Sequence, residues 1–256
     1  EVDDCVVIGS SALQGVLTTD ASGTIAIGKS ALTALTSGAN NVAVGYNASK
    51  AITTGGGNTS LGESAMVDLV EGTNNTAIGK GAFGGALDAT ADASTNNVFI
   101  GKDSGGGAWV TAVSNFNVAV GNNTMDAAMN GALQNTAVGH SSLSAITTGD
   151  WNPSLGSLSL EDLSTGARNT ALGFQSGLQL TGATHNTIVG MNAMGNVTAD
   201  VVGVTAIGYN AVPASGLTTG ANYTVGIGYS ALAALTSGAG NVAVGKSTLS
   251  VCTTGK

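Results

Sequence analysis

Carboxylates and histidines carry most acid–base and metal chemistry in proteins. The chain has 15 acidic residues and two histidines. The plausible acidic clusters are Asp88 with Asp92, and Glu161 with Asp162. Both lie in variable segments, and a glycosidase needs two carboxyl groups about 5–9 Å apart across a sugar. His140 and His185 have no Cys or acid at metal-ligand spacing. We therefore expect no enzyme activity, no metal and no cofactor.

Charge and hydropathy exclude further classes. The formal net charge is −8, and no basic stripe exists that could displace counterions from a nucleic acid. The segments 55–57 and 105–107 are glycine-rich but lack the Lys-Ser/Thr that a phosphate loop needs. No apolar run approaches the roughly 20 residues that span a bilayer. The sequence thus predicts no nucleic-acid partner and no membrane insertion.

An internal repeat covers nearly the whole chain. Its clearest copies read Asn-Thr/Val-Ala-Ile/Val-Gly, as at 41–45, 75–79 and 135–139. The closing glycines lie at 9, 28, 45, 62, 79, 101, 121, 139, 156, 173, 190, 208, 228 and 245. The commonest step is 17 residues, and longer steps near 79–121 and 208–228 indicate insertions. The sequence predicts one repeat domain, residues 1–256, of about 14 coils.

Each position of the repeat has a physical reading. A branched, a small and a branched residue precede the motif glycine, which is the period-2 pattern of a strand. Asn usually stands four residues before the glycine, and stacked Asn can form amide ladders. The glycine permits a sharp bend. Structural turns are predicted at Gly28, Gly45, Gly79, Gly139, Gly173 and Gly245.

A second short segment, usually Ala-Leu, follows the glycine, so we expect two short strands and two turns in each coil. Stacked coils make an all-β parallel solenoid. The branched residues are expected to form apolar ridges on one side and the small residues a second face. Because a face of Ala and Ser lets another chain approach closely, we expect an oligomer.

The Asn-Thr/Val-Ala-Ile/Val-Gly-x-x-Ala-Leu pattern resembles the YadA-type head repeat of trimeric autotransporter adhesins. It resembles still more the repeat of phage and bacterial tail-fibre proteins. The resemblance covers about residues 5–252. It implies a left-handed parallel β-roll that assembles as a homotrimer.

The two cysteines lie at the two ends of the repeat array, Cys5 in the first coil and Cys252 in the last. At about 4.8 Å per coil, a straight rod would separate them by roughly 60 Å. An intrachain disulfide is then excluded. Two readings stay open: isolated thiols, or an intermolecular disulfide that joins successive rods end to end or bridges chains within a trimer.

The residue just after the motif glycine is variable and often large, which indicates an outward position. It includes Tyr46, Tyr209 and Tyr229. Aromatic rings beside hydrogen-bonding groups suit contact with a glycan or a protein. Trp109 lies in an inserted segment, and Trp151 stands in the divergent copy beside Pro153. Both are candidate contact residues, although local packing is the plainer role for Trp109.

These observations favour a structural and attachment segment of an extracellular, cell-surface or virion fibre. A phage-like tail fibre that contacts a host-surface glycan or protein is the leading hypothesis. A bacterial trimeric adhesin head is the second. A filament subunit that joins end to end with its own copies is the third, and the two terminal cysteines make it a serious alternative.

Overall fold

The computed structural model describes residues 4–87, 91–213 and 216–255. The chain forms two compact units, Glu1–Leu133 and Gln134–Lys256. Both are built from the same repeating coil, and each is an all-β parallel solenoid with a period of about 17 residues. The seven strands described in each unit have three residues each.

In the first unit the strands are β1 Val6–Ile8, β2 Ile25–Ile27, β3 Val42–Val44, β4 Thr59–Leu61, β5 Thr76–Ile78, β6 Val98–Ile100 and β7 Val118–Val120. In the second unit they are β8 Thr136–Val138, β9 Pro153–Leu155, β10 Thr170–Leu172, β11 Thr187–Val189, β12 Thr205–Ile207, β13 Val225–Ile227 and β14 Val242–Val244.

Within each unit every strand pairs in parallel with the next, and equivalent residues of the repeat are partners. Val42, Ala43 and Val44 of β3, for example, pair with Thr59, Ser60 and Leu61 of β4. This register confirms the strand and the period that the repeat predicts.

The central residue of each strand from β2 to β14 points into the coil, and it is small in all of these strands but β6 and β11. It is buried in every strand from β2 to β14, whereas its two neighbours are half-buried or exposed. The expectation that small residues form an outer face was therefore wrong. The interior is filled from the rest of the coil by side chains such as Leu32 and Leu35, which are fully buried. Little room remains opposite the strand.

The two large residues at this central position show how tight the interior is. Phe99 lies against Gly105, where a Cβ atom would come within 2.6 Å of its ring. Ile188 lies beside Gly177, whose added Cβ would lie 3.0 Å from its Cδ1. Where the central side chain is large, the segment facing it thus has a glycine, which has no side chain, as close packing requires.

The segment after the motif glycine is not a second strand. Ser30 and Leu32 have φ values of 59° and 50°, in the left-handed region, and equivalent residues repeat this in other coils. The Ser30 N–H donates to Ser10 O of the preceding coil, and the Leu32 N–H donates to Ala48 O of the following one. Between them, the Ala31 N–H donates to Gly28 O within the same coil. The segment is hydrogen-bonded without being extended.

The motif glycines have φ between 127° and 143°, including all six predicted turn glycines. At Gly45 a Cβ atom would lie 2.4 Å from the carbonyl oxygen of Gly62 in the next coil. Both the dihedral angle and the close approach of coils require glycine here.

The Asn residues form buried amide ladders. Oδ1 of Asn41 accepts the backbone N–H of Asn58 at 3.0 Å and its Nδ2 at 3.2 Å, and the same Nδ2 donates to Gly72 O at 2.8 Å. The ladder of the first unit comprises Asn41, Asn58, Asn75, Asn97 and Asn117. That of the second unit comprises Asn135, Asn152, Asn169 and Asn186. These bonds bind one coil to the next inside a dry core.

The insertions lie in the segments between strands. Three of the longer repeats contain a short 3₁₀ helix, at Thr19–Ala21, Ala91–Ala93 and Thr219–Ala221. The strands on either side of each helix remain paired in the common register. Extra residues are therefore absorbed without disturbing the stack.

Candidate functional site

The first and third residues of the strands form what we call the outward strand face. In the second unit it carries Leu155 and Leu172, which are 50% and 44% exposed. Leu61 of the first unit is 47% exposed. Repeated apolar residues on one face of a sheet differ from single exposed side chains, because contiguous apolar patches mark interaction surfaces.

The residues that directly follow the motif glycines form a second surface feature, the glycine-flank column. In the first unit Tyr46 is half exposed, and Lys29 Nζ lies 5.9 Å from its ring centre. Further along, Lys80 and Glu63 form an exposed ion pair at 3.1 Å. Exposed ion pairs of this kind contribute little stability, so these side chains are free to serve contact.

In the second unit the glycine-flank column is more aromatic. The rings of Tyr209 and Tyr229 stack with centres 5.2 Å apart and an angle of 20°. Lys246 Nζ lies 5.7 Å from the Tyr229 ring. Both tyrosines lie on the surface, as the mixed chemistry of the column predicts. Their role in binding stays a prediction.

A third feature precedes the strands of the second unit. In the four consecutive coils of β8 to β11, the residue five before the motif glycine has a φ value of 55° to 60°, so each occupies a left-handed turn. We call this set the turn column; its members are Gln134, Trp151, Arg168 and His185. Trp151 Nε1 donates to Gln134 Oε1, and the Arg168 guanidinium lies 4.6 Å from the Trp151 ring centre. Trp151 is 43% exposed.

Trp109 does not lie at a contact surface. It is fully buried, with its ring centre 4.5 Å from that of Phe83 and 5.6 Å from that of Phe99. The larger repeats around Gly101 provide the interior room for these three rings. Of the two candidate tryptophans, only Trp151 is accessible.

Of the two predicted acidic clusters, only Glu161 with Asp162 lies wholly within the described residues. Asp88 lies outside the described residues. Burial raises the pKa of Glu161 most, Asp162 raises it further, and nearby His140 lowers it. Among the residues that the structure describes, no group of three or more His, Cys, Asp or Glu side chains could hold a metal ion.

Neither Cys5 nor Cys252 forms a disulfide within the chain, and both are half-buried. Cys5 occupies the Asn position of its coil, and its Sγ lies 3.7 Å from Ala21 O. Cys252 occupies the position that holds buried Leu35 and Leu235 in other coils. The intermolecular disulfide stays a prediction, which electrophoresis without reductant tests.

Sequence reasoning missed Gln134 and Arg168. A signal was present, since the four members of the turn column lie 17 residues apart. The neighbouring position is Asn in ten of the fourteen coils, whereas the residue at the turn position varies in chemistry from coil to coil.

No family model matches the chain, and no curated protein matches it. Across the described parts of the chain, no helix has the length and apolar character to cross a bilayer.

Proposed function

We propose that the chain is a non-enzymatic segment of a trimeric extracellular fibre, of the kind found in phage-like tail fibres, which holds contact residues toward a host surface. The observation that carries this proposal is the outward strand face. Each strand from β2 to β14 buries its central residue and leaves the two flanking residues partly exposed, so these coils retain an apolar surface after they have folded.

Lateral association of identical chains is the arrangement that covers such a surface in every coil at once. Coils of equal height bring equivalent residues of neighbouring chains to the same level, so each apolar row meets an apolar row. A closed ring of subunits leaves no such face open. The resemblance of the repeat to trimeric β-rolls favours three chains.

The attachment role draws on the two polar columns. The glycine-flank column and the turn column lie outside the outward strand face and combine aromatic rings with hydrogen-bonding groups. A rigid stack of coils holds these groups at fixed spacing, which reduces the entropy lost on binding a repetitive surface.

Native mass spectrometry and light scattering of the full chain test the assembly. We expect a species of three times the chain mass of 24.7 kDa. The double variant Leu155→Lys, Leu172→Lys places charges on the outward strand face and should shift the population to monomer. Because both leucines are already about half exposed, circular dichroism should still show the β-signal.

Thr165→Lys is the matched control, since it adds a charge at an exposed turn of the same unit. It should leave the trimer intact. A monomeric mass for the unmodified chain at micromolar concentration would overturn the proposal, and so would a trimer that tolerates both lysines on the strand face.

A further inference from the structure

The turn column of the second unit combines four different polar groups in consecutive coils. Gln134 supplies an amide, Trp151 an indole, Arg168 a guanidinium and His185 an imidazole. The backbone N–H of Arg168 donates to Asp150 O at 2.9 Å, and that of His185 donates to Ala167 O at 3.0 Å. These bonds tie each left-handed turn to the coil before it, so the side chains are held in a stack.

Arg168 is the only arginine of the chain. Its guanidinium carbon lies 4.6 Å from the Trp151 ring centre and the residue is exposed, which is a contact that guanidinium groups commonly make with aromatic faces. The ion pairs found among the described residues involve Lys80 and Lys102 instead. Contact with an aromatic ring restricts the side chain before any ligand arrives, and such pre-organisation favours binding.

The fork of N–H donors on a guanidinium matches the two oxygens of a carboxylate. On either side of the Trp151–Arg168 pair, the Gln134 amide and the His185 imidazole can bond hydroxyl groups. The exposed part of the Trp151 ring offers an apolar surface. A carboxylate, several hydroxyls and an apolar ring face occur together in acidic sugars.

We propose that the turn column, centred on Arg168 and Trp151, binds a carboxylate-bearing saccharide. This assignment rests on the proposed attachment role and names its ligand class. The turn column precedes the strands and is not part of the outward strand face, so association through that face and binding at this column use different residues.

Tryptophan fluorescence of the full chain provides the test, because Trp109 is fully buried and Trp151 is 43% exposed. The probes are sialyllactose, a glucuronate-terminated disaccharide and neutral lactose. At least one acidic sugar should change the emission saturably, and lactose should not. Which acidic sugar binds distinguishes a sialic acid from a uronic acid as the ligand. Calorimetry with the same sugars supplies an independent dissociation constant.

Arg168→Lys keeps the charge but removes the fork, and should weaken binding by about tenfold or more. Arg168→Gln should weaken it further. Lys50→Gln is the control, since it removes one exposed charge elsewhere and should leave the affinity unchanged. Equal binding of lactose, no binding of either acidic sugar, or unchanged affinity in Arg168→Gln would overturn the assignment.

Light scattering on the same samples separates the two proposals. A trimer that binds no acidic sugar would overturn the saccharide site alone. A monomer that binds the sugar through Arg168 would overturn the fibre assembly alone.

Discussion

Replacement of Asn169 by Ala tests whether the Asn ladder holds the coils together. Nδ2 of Asn169 donates to Ala183 O at 2.7 Å and to Asn152 Oδ1 at 3.1 Å. Its Oδ1 accepts the backbone N–H of Asn186 at 3.2 Å and the Nδ2 of Asn186 at 2.9 Å. All of these groups are buried.

The loss can be worked out partner by partner. Asn152 Oδ1 keeps the backbone N–H of Asn169 at 3.0 Å, and Asn186 Nδ2 keeps Val201 O at 3.1 Å. Ala183 O and the Asn186 N–H lose their ladder partner. An unsatisfied buried group costs about 1–3 kcal/mol, so the variant should lose about 2–6 kcal/mol of unfolding free energy.

Urea unfolding followed by circular dichroism measures this loss. With a slope of about 2 kcal/mol per molar urea, the midpoint should fall by roughly 1–3 M. Asn196→Ala is the control, because Asn196 is exposed in the same unit and lies outside the ladder. Equal midpoints for Asn169→Ala and Asn196→Ala would refute the role of the ladder.

Asn169→Asp extends the same test to pH. The carboxylate could still accept from Asn186, but it would face Ala183 O without a proton to donate. Burial and this contact should raise the folded-state pKa above the unfolded value of about 3.9. A carboxyl group whose pKa is raised in the folded state loses stabilising free energy as it ionises. The free energy of unfolding of Asn169→Asp, relative to the unmodified chain, should therefore be lower at pH 7 than at pH 4. A stability difference independent of pH would contradict this reasoning.

Three further predictions follow from the interior and from one acidic pair. Ala137→Val should overpack the coil and lower the unfolding free energy by about 1–3 kcal/mol, whereas Val138→Ile on the outward strand face should lower it little. Thermal melts compare the two variants, and equal losses would contradict the inward position of Ala137. Thr224 has a buried hydroxyl without a hydrogen-bond partner, so Thr224→Val should raise the stability by up to about 1 kcal/mol, and a loss would show that the hydroxyl is bonded. The pKa of Glu161, measured by NMR titration, should lie above its ordinary value and fall in Asp162→Asn, because Asp162 contributes to raising it; no change would exclude that contribution.

Much of the fold follows from the spacing of residues alone. The motif glycines and the residues before them predict both the strand and the register, because a solenoid stacks equivalent positions. The Asn ladder follows in the same way, since its members recur at the same place in each coil.

The sequence could not show what the segment after the glycine does. Ala-Leu pairs such as Ala31-Leu32 are compatible with a strand, and nothing in their composition reveals that Leu32 adopts a left-handed φ of 50°. That conformation is enforced by hydrogen bonds to two neighbouring coils, which exist only once the coils are stacked.

The candidate site could likewise be predicted only in part from the sequence. The outward position of Tyr46, Tyr209 and Tyr229 could be predicted, because a position that accepts Lys, Tyr and Met cannot lie in a close-packed interior. Local packing was the plainer expectation for Trp109, but only the structure shows that Phe83 and Phe99 are the rings that bury it.

The sequence by itself determined the period, the strand and the alternation of side chains within it. Only the tertiary structure decided which side of the strand is inside. The alternation of side chains defines two faces of the strand but does not show which face is buried. Small residues suit either a close contact between chains or a crowded interior. Large side chains from the rest of the coil, such as Leu32 and Leu35, occupy the interior. They leave space opposite them for Ala, Ser or Gly in most coils, and Phe99 and Ile188 fit only where a glycine faces them. The branched residues consequently face outward, and the stacking of coils brings Trp151 and Arg168 together beside that face.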